Sequence, residues 1–150
     1  MYLRALVKQT ESCTTHLADI VYQDPTQLGF CDAFDIDVGG VWLDPTNDGK
    51  IVVWCHPWPS DITDALVSDT NPGVTLTNSH IKLTALVLHY YILLADFPEL
   101  IMLAPRSGSD NTPTVSWITQ ETYTVNPVVA DLLRIRTIRS IQLFFKPLVF

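Results

Sequence analysis

The segment from Leu28 to His56 constrains this chain more than any other. An apolar run, Leu28 to Ala33, carries one carboxylate, Asp32, near its end. After a polar turn through Asp35 and Asp37 the chain returns as an extended run from Gly40 to Asp44. Asp44-Pro45-Thr46-Asn47-Asp48-Gly49 is a second turn, with Asp48-Gly49 at its tip, and Ile51 to His56 is a third apolar run. β-Branched and aromatic residues joined by such turns make a three-stranded antiparallel meander. A carboxylate on a buried strand needs a partner, because burying the charge alone is costly, and a bound cation is one such partner. Opposite Asp32, the pair Gly39-Gly40 leaves room for another backbone or a ligand to come close.

The remaining segments read in order. Residues 1–27 form an approach segment, with helical spacing of apolar residues over Met1–Ile20. Pro57-Trp58-Pro59 ends the meander, and Ser60 to Gly73 is a loop with one helical turn at Ile62–Val67. Val74 to Thr77 is extended. The longest helix spans Ser79 to Leu94, capped by Asn78 or Ser79. Leu83, Leu86, Val87, Tyr90 and Leu94 share one face, and Leu88, Ile92 and Leu93 widen it, so the helix is packed on two sides. Leu100 to Pro105 reads as a fourth strand. Thr112 as cap before Pro113 starts a helix to Gln120, and Asn126-Pro127 starts another to Gln142. Phe144 to Phe150 opens a fifth strand. This order predicts an α/β domain with a mixed sheet and helices on both faces.

Composition narrows the function classes. The chain has 150 residues, 47% hydrophobic and 17% charged, which suits one domain with a real core. A formal net charge of -7 argues against tight non-specific nucleic-acid binding through a general excess of cations, while leaving a local basic face possible. The three cysteines, Cys13, Cys31 and Cys55, show no CxxC spacing, so a zinc site or disulfide framework has no support and a reducing, intracellular setting is expected. Leu83 to Ala95 is too short to span a bilayer. No Walker loop, GxGxxG, GxSxG or HExxH occurs.

The element order, with an acid ending the first strand and an acid following the fourth, resembles the ribonuclease H fold. Asp32-Ala33 with Gly39-Gly40-Val41-Trp42 is similar to that family's first-strand aspartate and the glycine strand after it. Thr77-Asn78-Ser79-His80-Ile81-Lys82-Leu83 resembles its T-N-x-x-x-E-L helix opening, and Ser109-Asp110-Asn111 its fourth-strand aspartate. More narrowly, Gly-Gly-Val-Trp, Thr-Asn-Ser, Ser-Asp-Asn-Thr-Pro-Thr-Val and Asn-Pro-Val-Val-Ala-Asp-Leu-Leu-Arg resemble the segment that follows reverse transcriptase in some retroelement polyproteins. The resemblance covers residues 28–150 and makes 1–27 a connector from the polymerase part. It implies hydrolysis of the RNA strand of an RNA–DNA hybrid by two magnesium ions, held about 3.5–4 Å apart by convergent carboxylates. Asp32 and Asp110 are the implied metal ligands and catalytic residues.

Two departures follow. Lys82 stands where the family has its helix glutamate, and an ammonium cannot ligate magnesium. The family's last acid lies on a helix after the fifth strand, beyond this chain's end. The resemblance therefore implies a degenerate, truncated nuclease domain. A non-catalytic module of the same fold, binding a hybrid duplex or packing against a polymerase, is the alternative. An active enzyme completed by acids elsewhere in a polyprotein is a third reading.

Plainer readings stand beside each residue. Asp32 can bond nearby backbone amides, and Asp110 can serve a helix start. Lys82 is most simply an exposed helix lysine, though it could pair with Asp32 or Asp110 and neutralise them without metal. Asp35 and Asp37 are turn residues. His89 is a core residue, and His80 most simply faces solvent. The four tryptophans pack the core or cover sheet edges. Arg134, Arg136 and Arg139, with Lys146, form the one basic cluster, either helix C-terminal cations or a ridge contacting phosphates.

Overall fold

The computed structural model describes residues 27–43, 49–96, 105–120, 126–143 and 148–149, excluding the side chains of 120, 139–143 and 148–149. The meander is present: β1 (Leu28–Ala33), β2 (Asp37–Leu43) and β3 (Ile51–Pro57) are antiparallel neighbours. β2 begins three residues earlier than expected, because Asp37-Val38-Gly39 continue the ladder and Val38 is buried between the sheet and the helix above. Phe34 N–H donates to Asp37 O at 2.9 Å, which closes the turn that carries Asp35. Of the second turn only Gly49 is described. Its φ of +74° is the left-handed conformation that glycine adopts without steric cost.

β4 (Arg106–Gly108) lies parallel to β1, and β5 (Leu148–Val149) lies parallel to β4, giving the sheet order β3-β2-β1-β4-β5. This strand begins just after the expected Leu100–Pro105, of which only Pro105 is described and lies outside it. Residues 100–104 lie outside the described set, as do the expected helix over 1–20, the 44–48 turn and most of the segment 144–150. Arg106 joins the sheet by donating its N–H to Gln27 O at 2.9 Å.

Between β3 and the long helix the chain makes a short helix, α1 (Ser60–Thr63), rather than the turn expected at Ile62–Val67. A parallel bridge, Leu66 with Leu76, closes the loop that follows. Trp58 anchors this region: its N–H donates to Ile36 O at 2.9 Å and its indole N–H to Phe34 O at 2.8 Å. Around it gathers a small core of Ala33, Val38, Leu66, Ile81 and Ala85.

The long helix α2 (Asn78–Asp96) is packed by the sheet and by α3 (Thr112–Gln120) and α4 (Pro127–Leu143). Its cap is Thr77, one residue before the expected one. His80 replaces the usual glutamate of a capping box, its Nδ1 lying 2.9 Å from Thr77 N. The α3 cap is Asn111 instead of Thr112: Asn111 Oδ1 accepts from Thr114 N–H at 2.9 Å and from the Thr114 hydroxyl at 2.8 Å. Asn126 caps α4 as expected, accepting from Val128 and Val129 N–H. Among the described residues no helix is long and apolar enough to cross a membrane.

The main core is Trp42, Leu83, Leu86, Tyr90, Leu93, Ile118 and Val129. His89 sits within it, fully buried. Its ring stacks on Trp42 at 3.9 Å with an 8° interplanar angle, and Nδ1 accepts from the Trp54 indole N–H at 2.9 Å. Since indole only donates, the proton of the neutral ring is on Nε2, which has no hydrogen-bond partner. Burial pulls the His89 pKa down to about 3. Two glycines make room for this ring. A Cβ on Gly29 would lie 2.4 Å from His89 Nε2, and one on Gly40 would lie 2.8 Å from Nδ1. The glycine opposite Asp32, Gly39, has β3 backbone against it, with Trp54 O 3.0 Å from a Cβ position. The space left by the pair is filled by the protein itself and not by a ligand.

Candidate active site at the rim of the sheet

Asp32 is the penultimate residue of β1, Asp110 follows β4 by two residues, and Lys82 is in the second turn of α2. Because β1 and β4 are adjacent and parallel, their C-terminal ends bring both acids to one rim of the sheet, and α2 passes above it. Lys82 Nζ lies 2.9 Å from Asp32 Oδ1 and 2.8 Å from Asp110 Oδ1. The two oxygens are therefore no farther apart than these two contacts laid end to end. The Lys82 side chain is 13% exposed, against 40% for Asp32 and 71% for Asp110. Lys82 is thus not the exposed helix lysine of the simpler reading.

Burial alone would pull the Lys82 pKa down. Hydrogen bonds to Asp110 and Asp32, with the charges of both carboxylates, more than offset that and raise it above the usual lysine value. The ammonium is the cation that the carboxylates gather around. Asp32 Oδ1 also accepts from Ala33 N–H at 2.8 Å, so the backbone bond foreseen for a strand-end acid coexists with the ion pair. Asp110 does not cap α3, a task that falls to Asn111.

A polar network braces the rim. Asn111 Nδ2 donates to the Ser79 hydroxyl and the Thr114 hydroxyl to Ser79 O, each at 3.4 Å, tying the start of α3 to the start of α2. His80 is buried, not solvent-facing. Its Nε2 lies 2.9 Å from Asn126 Nδ2 and its ring stacks at 6.1 Å on Trp117. Burial lowers its pKa, and a neutral imidazole suits a position between two helix caps. The spacing Thr77-x-x-His80 was the available signal for this role. Beside the carboxylates lies a concavity of about 410 Å³ lined by Phe30, Cys31, Asp32, Gly108, Ser109 and Asp110. Burial pushes the Cys31 thiol up to about 12.

The three arginines of the expected basic cluster are on α4. Arg134 is exposed and pairs with Asp131 at 2.6 Å; Arg136 is partly buried; the Arg139 side chain and Lys146 lie outside the described residues.

Among the described residues the donor set at the rim does not fit a pair of divalent ions. Among the described residues no three of His, Cys, Asp and Glu gather as metal ligands. At the rim an ammonium nitrogen occupies the space between the two carboxylates, within hydrogen-bond distance of both.

Solved structures share this architecture. RNase H1 from the halophilic archaeon Halobacterium salinarum NRC-1 matches with a TM-score of 0.53 at 16% identity, covering 83% of this chain and 84% of that one. LC11-RNase H1 in complex with an RNA/DNA hybrid matches with a TM-score of 0.59 at 10% identity, again over 83% and 84%. A structure of LC11-RNase H1 isolated from compost gives 0.51 at 11% identity over 85% of each chain. The chain therefore carries the ribonuclease H-like fold. No family profile and no curated protein matches its sequence.

Proposed function

We propose that this chain is a degenerate ribonuclease H-like domain of a retroelement polyprotein. Its ancestral reaction is metal-dependent hydrolysis of RNA in RNA–DNA hybrids, and it no longer cleaves. The observation that carries this reading is Lys82 Nζ seated between the oxygens of Asp32 and Asp110. A cation tethered to the helix satisfies the charge that magnesium would satisfy, and it cannot activate a water or hold a leaving oxygen as two metal ions do. Residues 28–150 form the domain in this reading, and 1–27 link it to a reverse transcriptase. The neighbour solved with a hybrid supports a hybrid duplex as the ancestral partner.

Two assays test the proposal. The chain is expected not to cleave an RNA–DNA hybrid in magnesium, and its melting temperature is expected not to move when magnesium is added. Lys82→Glu is expected to lower stability without magnesium and to regain it with magnesium. For a site with Kd of about 1 mM, about 10 mM magnesium stabilises by about 1.4 kcal/mol. Cleavage by the unaltered chain would overturn the proposal. The alternative, a non-catalytic module, shares the same rim and differs in one readout: salt-dependent binding of the hybrid by the unaltered chain.

A further inference from the structure

The outer edge of β3 points to a second function of the sheet, independent of the rim. Among the described strands β3 is the terminal one of the sheet, and it pairs with β2 over all seven of its residues without a bulge. Edge strands in soluble proteins are usually short, bulged, charged or interrupted by proline, because a bare edge templates another strand. β3 contains no charged residue, and its one proline, Pro57, is its last residue.

The ladder fixes which backbone groups face outward. Trp58 N–H donates to Ile36 O, and bonded and non-bonded pairs alternate along an antiparallel ladder. The bonded pairs with β2 are therefore Val38 with His56, Gly40 with Trp54 and Trp42 with Val52. Ile51, Val53 and Cys55 direct their N–H and C=O groups away from β2, toward the open edge. Pro57 follows in the same phase and has no N–H to offer.

We propose that β3 pairs antiparallel with β3 of a second copy of this chain, on a two-fold axis through Val53. In that register Val53 faces Val53, and Ile51 of each copy faces Cys55 of the other. All three are bonded pairs, so every outward N–H of Ile51, Val53 and Cys55 finds a carbonyl. The next pair would set Gly49 against Pro57, and the missing N–H ends the ladder there. The side chains that meet are uncharged and exposed in the single chain, Ile51 at 58% and Val53 at 76%. No like charges oppose one another across the seam. A closed two-fold contact of this kind is self-complementary and does not propagate into a fibre.

The experiment is sedimentation and light scattering of the full chain across concentration, with Val53→Pro as the variant. The Val53 N–H is not used by β2, so proline at this edge position leaves the β2–β3 ladder whole. The mass is expected to double with concentration, and Val53→Pro to move the monomer–dimer midpoint by about tenfold or more, since two bonds across the axis are lost. A chain that stays monomeric throughout, or a midpoint unmoved by Val53→Pro, would overturn the proposal and leave the edge to a strand from another protein. Should Val53→Pro not fold, amide exchange of the unaltered chain decides the matter. The amides of Ile51, Val53 and Cys55 are expected to gain protection with concentration while those of Val52 and Trp54 do not change; no gain at the outward amides would sink it.

Discussion

Lys82 and His89 stand on the same stripe of α2, about two turns apart, and meet opposite environments. Lys82 has two carboxylates within hydrogen-bond distance and keeps its charge, its pKa raised despite burial. His89 has aromatic rings, one indole donor and two glycines around it, and burial leaves it neutral down to a pKa of about 3. The same helix face thus carries a titratable base into the protein twice. Where opposite charges wait, the base is an ion; where only rings and dipoles wait, it is a packing element. Depth alone does not decide the outcome, since Lys82 is itself largely covered.

The comparison breaks most readily in acid. His89 has a folded pKa below its ordinary value of 6.5. Between 6.5 and about 3 the unfolded chain binds a proton there that the folded chain refuses, so this contribution is full above 6.5 and is lost as pH falls. Chemical denaturation across that window is expected to show stability falling by up to about 1.4 kcal/mol per pH unit from this residue, several kcal/mol in all. His89→Gln is expected to flatten the slope by that amount. A pH profile identical in the variant would mean that His89 is not the buried neutral base described here.

Next in size is the room made for the ring. Gly29→Ala places a methyl 2.4 Å from His89 Nε2 and 2.5 Å from the Trp42 ring, and is expected to cost about 3 kcal/mol in urea unfolding. Gly73→Ala meets nothing within 4 Å and is expected to stay within about 0.5 kcal/mol of the parent.

The smallest effects belong to Lys82. Lys82→Met is expected to cost about 1 kcal/mol, because both carboxylates are solvent-accessible and well screened, and the loss is expected to shrink in molar salt. The sign of the pH effect is reversed from that of His89. A raised lysine pKa gives stability that is present below the ordinary value of 10.5 and is lost as pH rises through the folded value. An alkaline melt of the parent against Lys82→Met would show the small excess loss in the parent alone.

Local chemistry made much of this legible from the chain. β1 is readable to the residue, since turn residues bound its apolar run on both sides, and the apolar width of α2 announces a helix packed by sheet and helices alike. The caps shifted by a single position at Thr77 and Asn111, because Thr, Asn and Ser in a row offer several equivalent starts. The pattern gave no sign of a strand at Arg106–Gly108, because three residues carry no period of their own and the placement of β4 rests on long-range pairing with β1. Lys82 was the hardest to place. Its partners lie 50 and 28 residues away in sequence, and nothing in the helix itself distinguishes a solvated lysine from one held between two acids. The resemblance links Asp32, Lys82 and Asp110 by motif alone; the fold brings both carboxylates within hydrogen-bond reach of Lys82.

Cys31 offers a practical consequence. It is on β1 next to Asp32, and a thiol with a pKa near 12 is almost wholly protonated at neutral pH. Only the thiolate attacks alkylating reagents, so this sulfur is silent while β1 stays in the sheet. Cys55 is exposed on β3 and open to the reagent. The two described cysteines therefore make a pair of clocks: labelling at Cys55 runs at the rate set by the reagent, and labelling at Cys31 counts how often the first strand lets go.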